Sequence, residues 1–584
     1  MKPDSLEARD ARSVIHGLTN LKRHLELGPT VIESGHGVWV TDNHGREYIE
    51  AMSGLWCIAL GYGEKRLAAV AARQMERLAY YPLTSHKSHP SAIELAEKLL
   101  AIAPAPMSRV WFANSGSEAN DCAVRLAWYF WNAMGKPGKL KLLAHQLAYH
   151  GNTIATASLS GVNYTHEGFN LPLPGFLHVA CPHYYRGARP GESETAFTQR
   201  LLADIEARIV AEGADTIAAF FTEPIIAAGG VVVPPAGYFD GLQKLLRKYD
   251  ILLVCDEVVT GFARTGNMFG ATTMNIVPDM LVCAKALSSA YIPISALMVN
   301  ERVFQAIARQ SDELGVFGLT MTYCGHPVAT AVAREAIRIY EEQDFPARVR
   351  RLEAPFLGGL RNLESHPLVG EVRGKGLLAG VELVRDKATR EPFARTQKIG
   401  AICAGIAEKR GLILRAIGDT LALCPPLVIS ETEIAELLKR LRTALDETAA
   451  TLVGAWQYST HTPPYVGLGY LHDLRTDKGA KSATFTPDLP RAGWYEVRLA
   501  HCYNVRRTTS APVTIRHADG ETGVRVNQRE EPPHARLWRT LGTFRFAAGR
   551  AGFVRIGNAG TDDGYVIVDA VQFLPVNAPS PDQR

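Results

Sequence analysis

Two ionisable residues close two apolar runs. Ile251-Leu252-Leu253-Val254-Cys255 leads into Asp256, and Met280-Leu281-Val282-Cys283-Ala284 leads into Lys285. Both runs have the length and composition of buried parallel strands. In open α/β sheets, ligands bind at the carboxyl ends of the strands. A carboxylate there can hold a cationic ring nitrogen, and a lysine amine there can form an imine with an aldehyde. Pyridoxal phosphate uses both groups. Each residue alone also has a structural use: an aspartate caps the next helix, and a lysine marks chain leaving the core. The pair gains meaning with a phosphate site and a residue that covers a ring.

Candidates for both exist. Residues 109–114 read as a short strand that runs into Ser115-Gly116-Ser117-Glu118-Ala119-Asn120 and then a helix. Gly116 and Ser117 therefore sit at a helix N-terminus, where backbone N–H groups and the helix dipole favour an anion. A serine N-cap without a ligand uses the same pattern. The stretch is neither a P-loop nor a GxGxxG turn. Tyr149-His150-Gly151 follows the apolar run 141–144, so Tyr149 either covers a ring face or is a half-buried loop residue. His150 reads as a satisfied polar residue with no catalytic role. In Ser53-Gly54-Leu55-Trp56-Cys57 and Gly61-Tyr62-Gly63, glycines flank large aromatics, as in a loop that approaches something closely. Trp56 is a core anchor or a pocket wall.

The elements that position these residues alternate. Residues 31–50 predict a small antiparallel unit around the turn Asp42-Asn43-His44-Gly45. A helix is expected over 91–102, a buried strand over 216–221 ending at Glu223-Pro224, and a helix over 237–249 leading into the Asp256 strand. Strand–helix alternation from about 109 to 300 predicts an α/β fold with a mostly parallel sheet. A separate block over 340–450 predicts strand–turn–strand at 368–384, strands at 411–415 and 421–427, and a capping box of Ser430 and Glu433 opening a helix over 431–452. Beyond about 455 the composition shifts to short alternating strands with frequent turns, which predicts a β-sandwich.

Composition narrows the function classes. The 584 residues exceed one ordinary domain, and a formal charge of +4 gives no bulk basicity for nucleic acid or acidic membrane. Nine cysteines without a CxxC pair, several inside apolar runs, fit a reducing, cytoplasmic compartment. The first residues show no apolar signal-peptide core, and no apolar run is long enough for a bilayer.

Taken together in order, the motifs resemble a known family. Ser53-Gly54-Leu55-Trp56-Cys57, the 114–120 stretch, Tyr149-His150-Gly151, Glu223-Pro224, Cys255-Asp256-Glu257-Val258, Thr260-Gly261-Phe262-Ala263-Arg264-Thr265-Gly266, Ala284-Lys285-Ala286-Leu287-Ser288, Gly325-His326-Pro327 and Pro425-Pro426-Leu427 resemble class III pyridoxal-phosphate aminotransferases, the ω-transaminase group. The resemblance spans residues from about 10 to 450 and implies fold type I, with a large domain at about 60–330 and a small one from 1–59 and 331–455. Residues 456–577 resemble the golvesin or xanthan-lyase type of carbohydrate-binding-like β-sandwich, through Tyr470-Leu471-His472-Asp473, Phe485-Thr486-Pro487-Asp488-Leu489-Pro490, Gly493-Trp494-Tyr495-Glu496-Val497 and the 558–566 stretch. Residues 578–584 are a tail.

The resemblance implies roles. Lys285 is the Schiff-base lysine, Asp256 pairs with the pyridine nitrogen and Glu223 supports Asp256. Tyr149 and Val258 flank the ring, and Gly116 and Ser117 hold the phosphate. Thr322 completes the phosphate site of the other subunit of a homodimer. Trp56 and Ala228 line the substrate pocket, and Arg415 meets a substrate carboxylate. The sequence departs from the family where Leu319-Thr320 replaces His-Gly, Cys324 replaces serine and Ala290 replaces glycine. The expected reaction moves an amino group from an amine or ω-amino acid to a keto acid, with pyruvate as the expected acceptor. A decarboxylase or aminomutase on the same fold remains open, as does a carbohydrate-binding protein with an idle transaminase-like domain. A glycan is a candidate partner of the C-terminal module; nucleic acid, membrane and metal are not expected.

Overall fold

The apolar runs pair into a seven-stranded sheet. Its strands are β1 (Arg109–Ala113), β2 (Lys141–His145), β3 (Phe176–Val179), β4 (Ile217–Thr222), β5 (Leu252–Asp256), β6 (Met280–Cys283) and β7 (Ser295–Val299). The spatial order is β1-β7-β6-β5-β4-β2-β3. The β6-β5-β4-β2-β3 stretch is parallel, and β7 runs antiparallel to both its neighbours. All six residues of β4 are buried, as a parallel strand covered on both faces requires.

The period of two sorts the strand residues between two cores. Leu252 and Val254 of β5 pack with Ala119, Ala123 and Leu126 of helix α1 (Gly116–Ala133). Leu253 and Cys255 pack on the other face, with Phe197 and Leu201 of α2 (Glu194–Glu212) and Phe239 and Leu242 of α3 (Tyr238–Lys248). The same alternation carries Asp256 to the α1 face. A slip of one residue would turn the whole set over.

This computed structural model describes residues 4–448, 450–453, 456–459, 461–466, 469–487 and 489–578, so Asp488 and residues 579–584 of the expected tail lie outside the described residues. Two compact units are present. The first holds Met1–Arg361, Arg373–Gly380 and Ala422–Ala435; the second holds Asn362–Val372, Val381–Leu421 and Glu436–Arg584. In the first unit the expected N-terminal element forms as three antiparallel strands, Ile32–His36, Trp39–Asp42 and Glu47–Glu50. Asp42 shapes its turn by accepting the N–H groups of His44 and Arg46, both at 2.9 Å.

Three expectations need correction. The strand expected over 421–427 is Thr420–Leu423 and stops before the Pro425-Pro426 pair. The run at 411–415 is two short strands, Leu412–Ile413 and Arg415–Ile417, so Arg415 opens the second instead of closing the first. The two pieces belong to different sheets, and an apolar run signals burial without marking such a switch. The helix begins at its capping box, with Glu433 N–H donating to Ser430 Oγ at 3.2 Å and Ser430 N–H donating to Glu433 Oε2 at 2.9 Å. It ends at Thr448, and Ala450–Val453 is already a strand, paired with Ser482–Phe485.

Among its described residues, the C-terminal all-β region contains one five-stranded and two three-stranded sheets. Its strand Gly493–Ala500 buries Tyr495, Val497 and Leu499 and pairs Glu496 with Arg498 on the other side. Ala511–His517 and Gly520–Val526 form the expected hairpin, with Val513 opposite Val524. Among the described residues, no helix is long and apolar enough to cross a membrane.

Candidate active site

Five chain segments converge at the carboxyl ends of the parallel strands. Asp256, the last residue of β5, is 3% exposed. Its Oδ2 accepts Asn120 Nδ2–H at 2.7 Å and His150 Nδ1–H at 2.9 Å, and its Oδ1 accepts the Val258 N–H at 3.0 Å. A buried carboxylate without such donors would cost several kcal/mol. Asn120 lies one helical turn beyond Gly116, so one face of α1 both presents its N-terminus and reaches Asp256. Asn120 Nδ2 also donates to the His150 carbonyl at 2.8 Å, and Ser160 Oγ accepts the His150 N–H at 2.9 Å. These bonds fix the imidazole against the carboxylate.

Lys285 follows β6, whose Val282 sits opposite Asp256 in the ladder. Its φ is 46°, a left-handed conformation unusual for a lysine and of the kind concentrated at functional sites. A 3-10 turn, Lys285–Leu287, holds it there, with the Ala290 N–H donating to the Lys285 carbonyl at 3.1 Å. Burial pushes the Lys285 ammonium below its ordinary range, against the opposing pull of Cys57, Asp256, Glu223 and Cys424. A desolvated lysine is a better base and nucleophile than an exposed one.

Glu223, just past β4, does not bond to Asp256. Its Oε1 accepts the Tyr149 N–H and its Oε2 the Ala227 N–H, each at 3.0 Å. It therefore anchors the main chain beside Tyr149 and next to Ala228. Burial pushes its carboxyl up to about 7; the neighbouring Asp256 adds to the rise, and His150 opposes it. Gly116 opens α1 behind the Ser115 cap, whose Oγ accepts the Glu118 N–H at 3.2 Å. A Cβ at Gly116 would stand 3.0 Å from Val258 Cγ2, so glycine lets the helix N-terminus meet Val258. Ser117 Oγ accepts the Asn152 N–H at 3.1 Å. Gly151, at φ 138°, faces the same serine: a Cβ there would come within 2.7 Å of Ser117 Oγ.

The remaining expected residues are spread more widely. Trp56 is buried in the turn Ser53–Trp56, and Ala228 is buried. Tyr149 and Val258 are half-buried. Thr322 is exposed, with its carbonyl accepting the Tyr80 hydroxyl at 2.7 Å. Thr320 instead lines a cavity of about 280 Å³ with Leu83, Ile93, Trp111 and Met321. Arg415 is half-buried in the second unit. Sequence reasoning missed two members, Asn120 and His150. The i, i+4 spacing from Gly116 was a signal for Asn120. For His150, adjacency to Tyr149 was available, but nothing local showed that its ring meets Asp256.

Pyridoxal phosphate fits this donor set. A buried carboxylate held by three donors suits the ring nitrogen, a desolvated lysine suits the aldehyde, and a glycine-opened helix N-terminus with Ser117 suits the phosphate. Fold and site together define a pyridoxal-phosphate-dependent transferase of fold type I. The class III aminotransferase family model matches residues 22–445, and the Golvesin C-terminal domain model matches residues 442–575. The chain belongs to the class III aminotransferases and carries a Golvesin C-terminal domain. Gamma-aminobutyrate transaminase 1, mitochondrial, of Oryza sativa subsp. indica is 44% identical over 424 residues, 72% of this chain and 82% of that protein. Gamma aminobutyrate transaminase 3, chloroplastic, of Solanum lycopersicum has the same identity over the same length. A 6-fold mutant of a thermostable omega transaminase from Pseudomonas jessenii is 50% identical with a TM-score of 0.75, covering 76% of this chain and 99% of its own. The omega transaminase of that organism has also been solved in complex with PMP, at 50% identity.

His150→Ala removes one of three donors to Asp256. Pyridoxal phosphate affinity, measured by equilibrium dialysis, is expected to fall roughly ten- to a hundredfold, the usual worth of a hydrogen bond to a charged group. Unchanged affinity would mean that the His150–Asp256 bond does not serve the cofactor.

Proposed function

We propose that the protein transfers an amino group from a primary amine or ω-amino acid to a keto acid, with pyruvate as acceptor, in two half-reactions that share one site. The observation that carries this reading is the buried Asp256 carboxylate, clamped by Asn120, His150 and the Val258 N–H, one strand away from the desolvated Lys285. When bound, pyridoxal phosphate supplies an electron sink for the carbanion left when a substrate Cα loses its proton. Asp256 holds a proton on the ring nitrogen. Lys285 takes the Cα proton as a general base and returns it at the adjoining carbon, a transfer that a buried neutral amine performs better than an ammonium. Gly116 and Ser117 bind the phosphate. Glu223 anchors Tyr149, which with Val258 bounds the ring, while Trp56 and Ala228 shape the amine pocket. The relatives named as gamma-aminobutyrate transaminases support an ω-amino acid among the donors.

Arg415 is the reader of the acceptor carboxylate in this proposal, since a guanidinium fork matches a carboxylate bidentately. Thr322 serves a second copy of the chain in a homodimer. Its exposure beside the exposed rings of Tyr80, Tyr81 and Tyr323 supports that role. All nine cysteines are free, which supports a reducing, cytoplasmic setting. The C-terminal region from about 456 acts as an accessory module that binds glycan or packs on the enzyme.

Three outcomes are expected. Lys285→Ala folds and takes up the cofactor without a covalent bond, while turnover drops by at least roughly 10²–10⁴-fold, the share of a positioned general base; near-normal turnover would remove Lys285 from the chemistry. Arg415→Ala loses kcat/KM with pyruvate by about 2–5 kcal/mol but keeps activity with a simple aldehyde acceptor, as truncating one side of a charge-assisted pair predicts; equal losses would show that Arg415 reads no carboxylate. A chain ending at Thr448 remains soluble, dimeric and active, because a relative of which 99% aligns to 76% of this chain is itself an omega transaminase. Mass, melting temperature and turnover decide this last case, and an insoluble or inactive product would make the C-terminal region part of the enzyme's framework.

A further inference from the structure

The turn that carries Trp56 is held in an improbable conformation. Ser53, Gly54 and Trp56 have φ values of 51°, 65° and 66°, and Leu55 between them sits at φ −113°, ψ 59°. Two of the three left-handed positions are occupied by residues with side chains, which disfavour that region. Such torsions persist only where the surroundings over-determine them.

The surroundings are specific. The Ser53 side chain donates to the Cys424 carbonyl at 2.6 Å and lies 3.4 Å from Arg264 Nη2. The Ser53 carbonyl accepts the Cys57 N–H at 2.9 Å, and the Met52 carbonyl accepts the Trp56 N–H at 2.9 Å. Two further main-chain donors, one before the turn and one inside it, reach Glu50, the last residue of the strand Glu47–Glu50. Its Oε1 accepts the Met52 N–H at 3.1 Å, and its Oε2 accepts the Gly54 N–H. Glu50 is 4% exposed, and its carboxyl is pushed up to about 7 by burial, with the Gly54 and Met52 N–H groups and then the Arg264 charge opposing the rise. A carboxylate presents acceptors on both oxygens, as these two N–H groups require. An amide would turn an N–H towards one of them. An aspartate is one methylene shorter.

We propose that Glu50 is a positioning residue for the amine pocket: by clamping the Met52 and Gly54 N–H groups it fixes the left-handed turn that sets Trp56 in place, and so sets which amines fit. The inference rests on the reading of Trp56 as a wall of that pocket. Glu50 is buried and gives one oxygen to each of two main-chain N–H groups, so it acts through the Trp56 ring. Removing its second acceptor should therefore change discrimination between amines while leaving the proton-transfer machinery at Lys285 and Asp256 alone.

The test is a double-mutant cycle on the holoenzyme with Glu50→Gln, Trp56→Gly and the pair, using 1-phenylethylamine as bulky donor and isopropylamine as small donor, each with pyruvate. Glu50→Gln is expected to change the KM for 1-phenylethylamine by about tenfold or more, the scale on which pocket shape discriminates. The kcat for isopropylamine and the cofactor absorbance should stay near wild type. In the Trp56→Gly background, the same substitution should add less than about twofold, because coupled residues are non-additive. Equal effects on both amines, or the same factor with and without Trp56, would overturn the inference. Should Glu50→Gln fail to fold, Glu50→Asp keeps the charge at a shorter reach and is held to the same comparison. If Trp56→Gly itself leaves the KM ratio of the two amines unchanged, the pocket reading fails; if Trp56→Gly moves the ratio and the Glu50 variants do not, only the role of Glu50 fails.

Discussion

A carboxylate buried at the end of a central strand is the constraint on which the rest of this site depends. Asp256 reaches a position that is nearly closed to water, where an unsatisfied carboxylate would be among the costliest groups a fold can hold. The fold answers with three donors from three places: Asn120 from the helix after β1, His150 from the loop after β2, and the Val258 N–H from its own turn. Each donor fixes a segment that also carries residues proposed to hold the cofactor. Asn120 sets the helix whose first residues are Gly116 and Ser117. His150 sets the loop of Tyr149 and Gly151. Val258 itself meets the helix N-terminus at Gly116. One electrostatic requirement thus holds together the segments proposed to carry the ring, phosphate and stacking groups.

Glu223 and Lys285 extend the same logic. Glu223 spends both oxygens on main-chain N–H groups of Tyr149 and Ala227, so its burial is offset by holding loops and not by an ion pair. Lys285 sits where burial favours the neutral amine and two buried carboxyl groups oppose that shift. The balance suits the proton transfers proposed for Lys285. Its left-handed backbone is consistent with a local conformation held for chemistry.

Much of this was readable from residue order. The unbroken apolar runs at 251–255 and 280–284 marked buried strands, and these strands are neighbours in the sheet, with Asp256 opposite Val282, three residues before Lys285. The strand–turn–helix at 109–120 was legible because a short apolar run meets Ser-Gly-Ser before a helical pattern. What remained hidden depended on contacts between segments distant in sequence. His150 meets Asp256 across 106 positions, and no local pattern encodes such a meeting. The break at Leu414, which puts Arg415 at the start of a strand, reflects a change of sheet and not a change of composition. The capped helix ends at Thr448 although Ala450 and Leu452 beyond it suit a helix; the β-branched Thr451 and Val453 are the local signal for the strand Ala450–Val453.

The central claim is that Asp256 keeps the cofactor ring nitrogen protonated, and nitrogen NMR reads that proton directly. With the enzyme loaded with pyridoxal phosphate labelled with ¹⁵N in the ring, the wild-type protein should give the chemical shift of a protonated pyridinium from pH 6 to pH 9. A folded Asp256→Ala variant that still holds the cofactor should give the shift of a neutral pyridine. A neutral ring nitrogen in the wild-type protein, or a pyridinium that survives the loss of Asp256, would contradict the account.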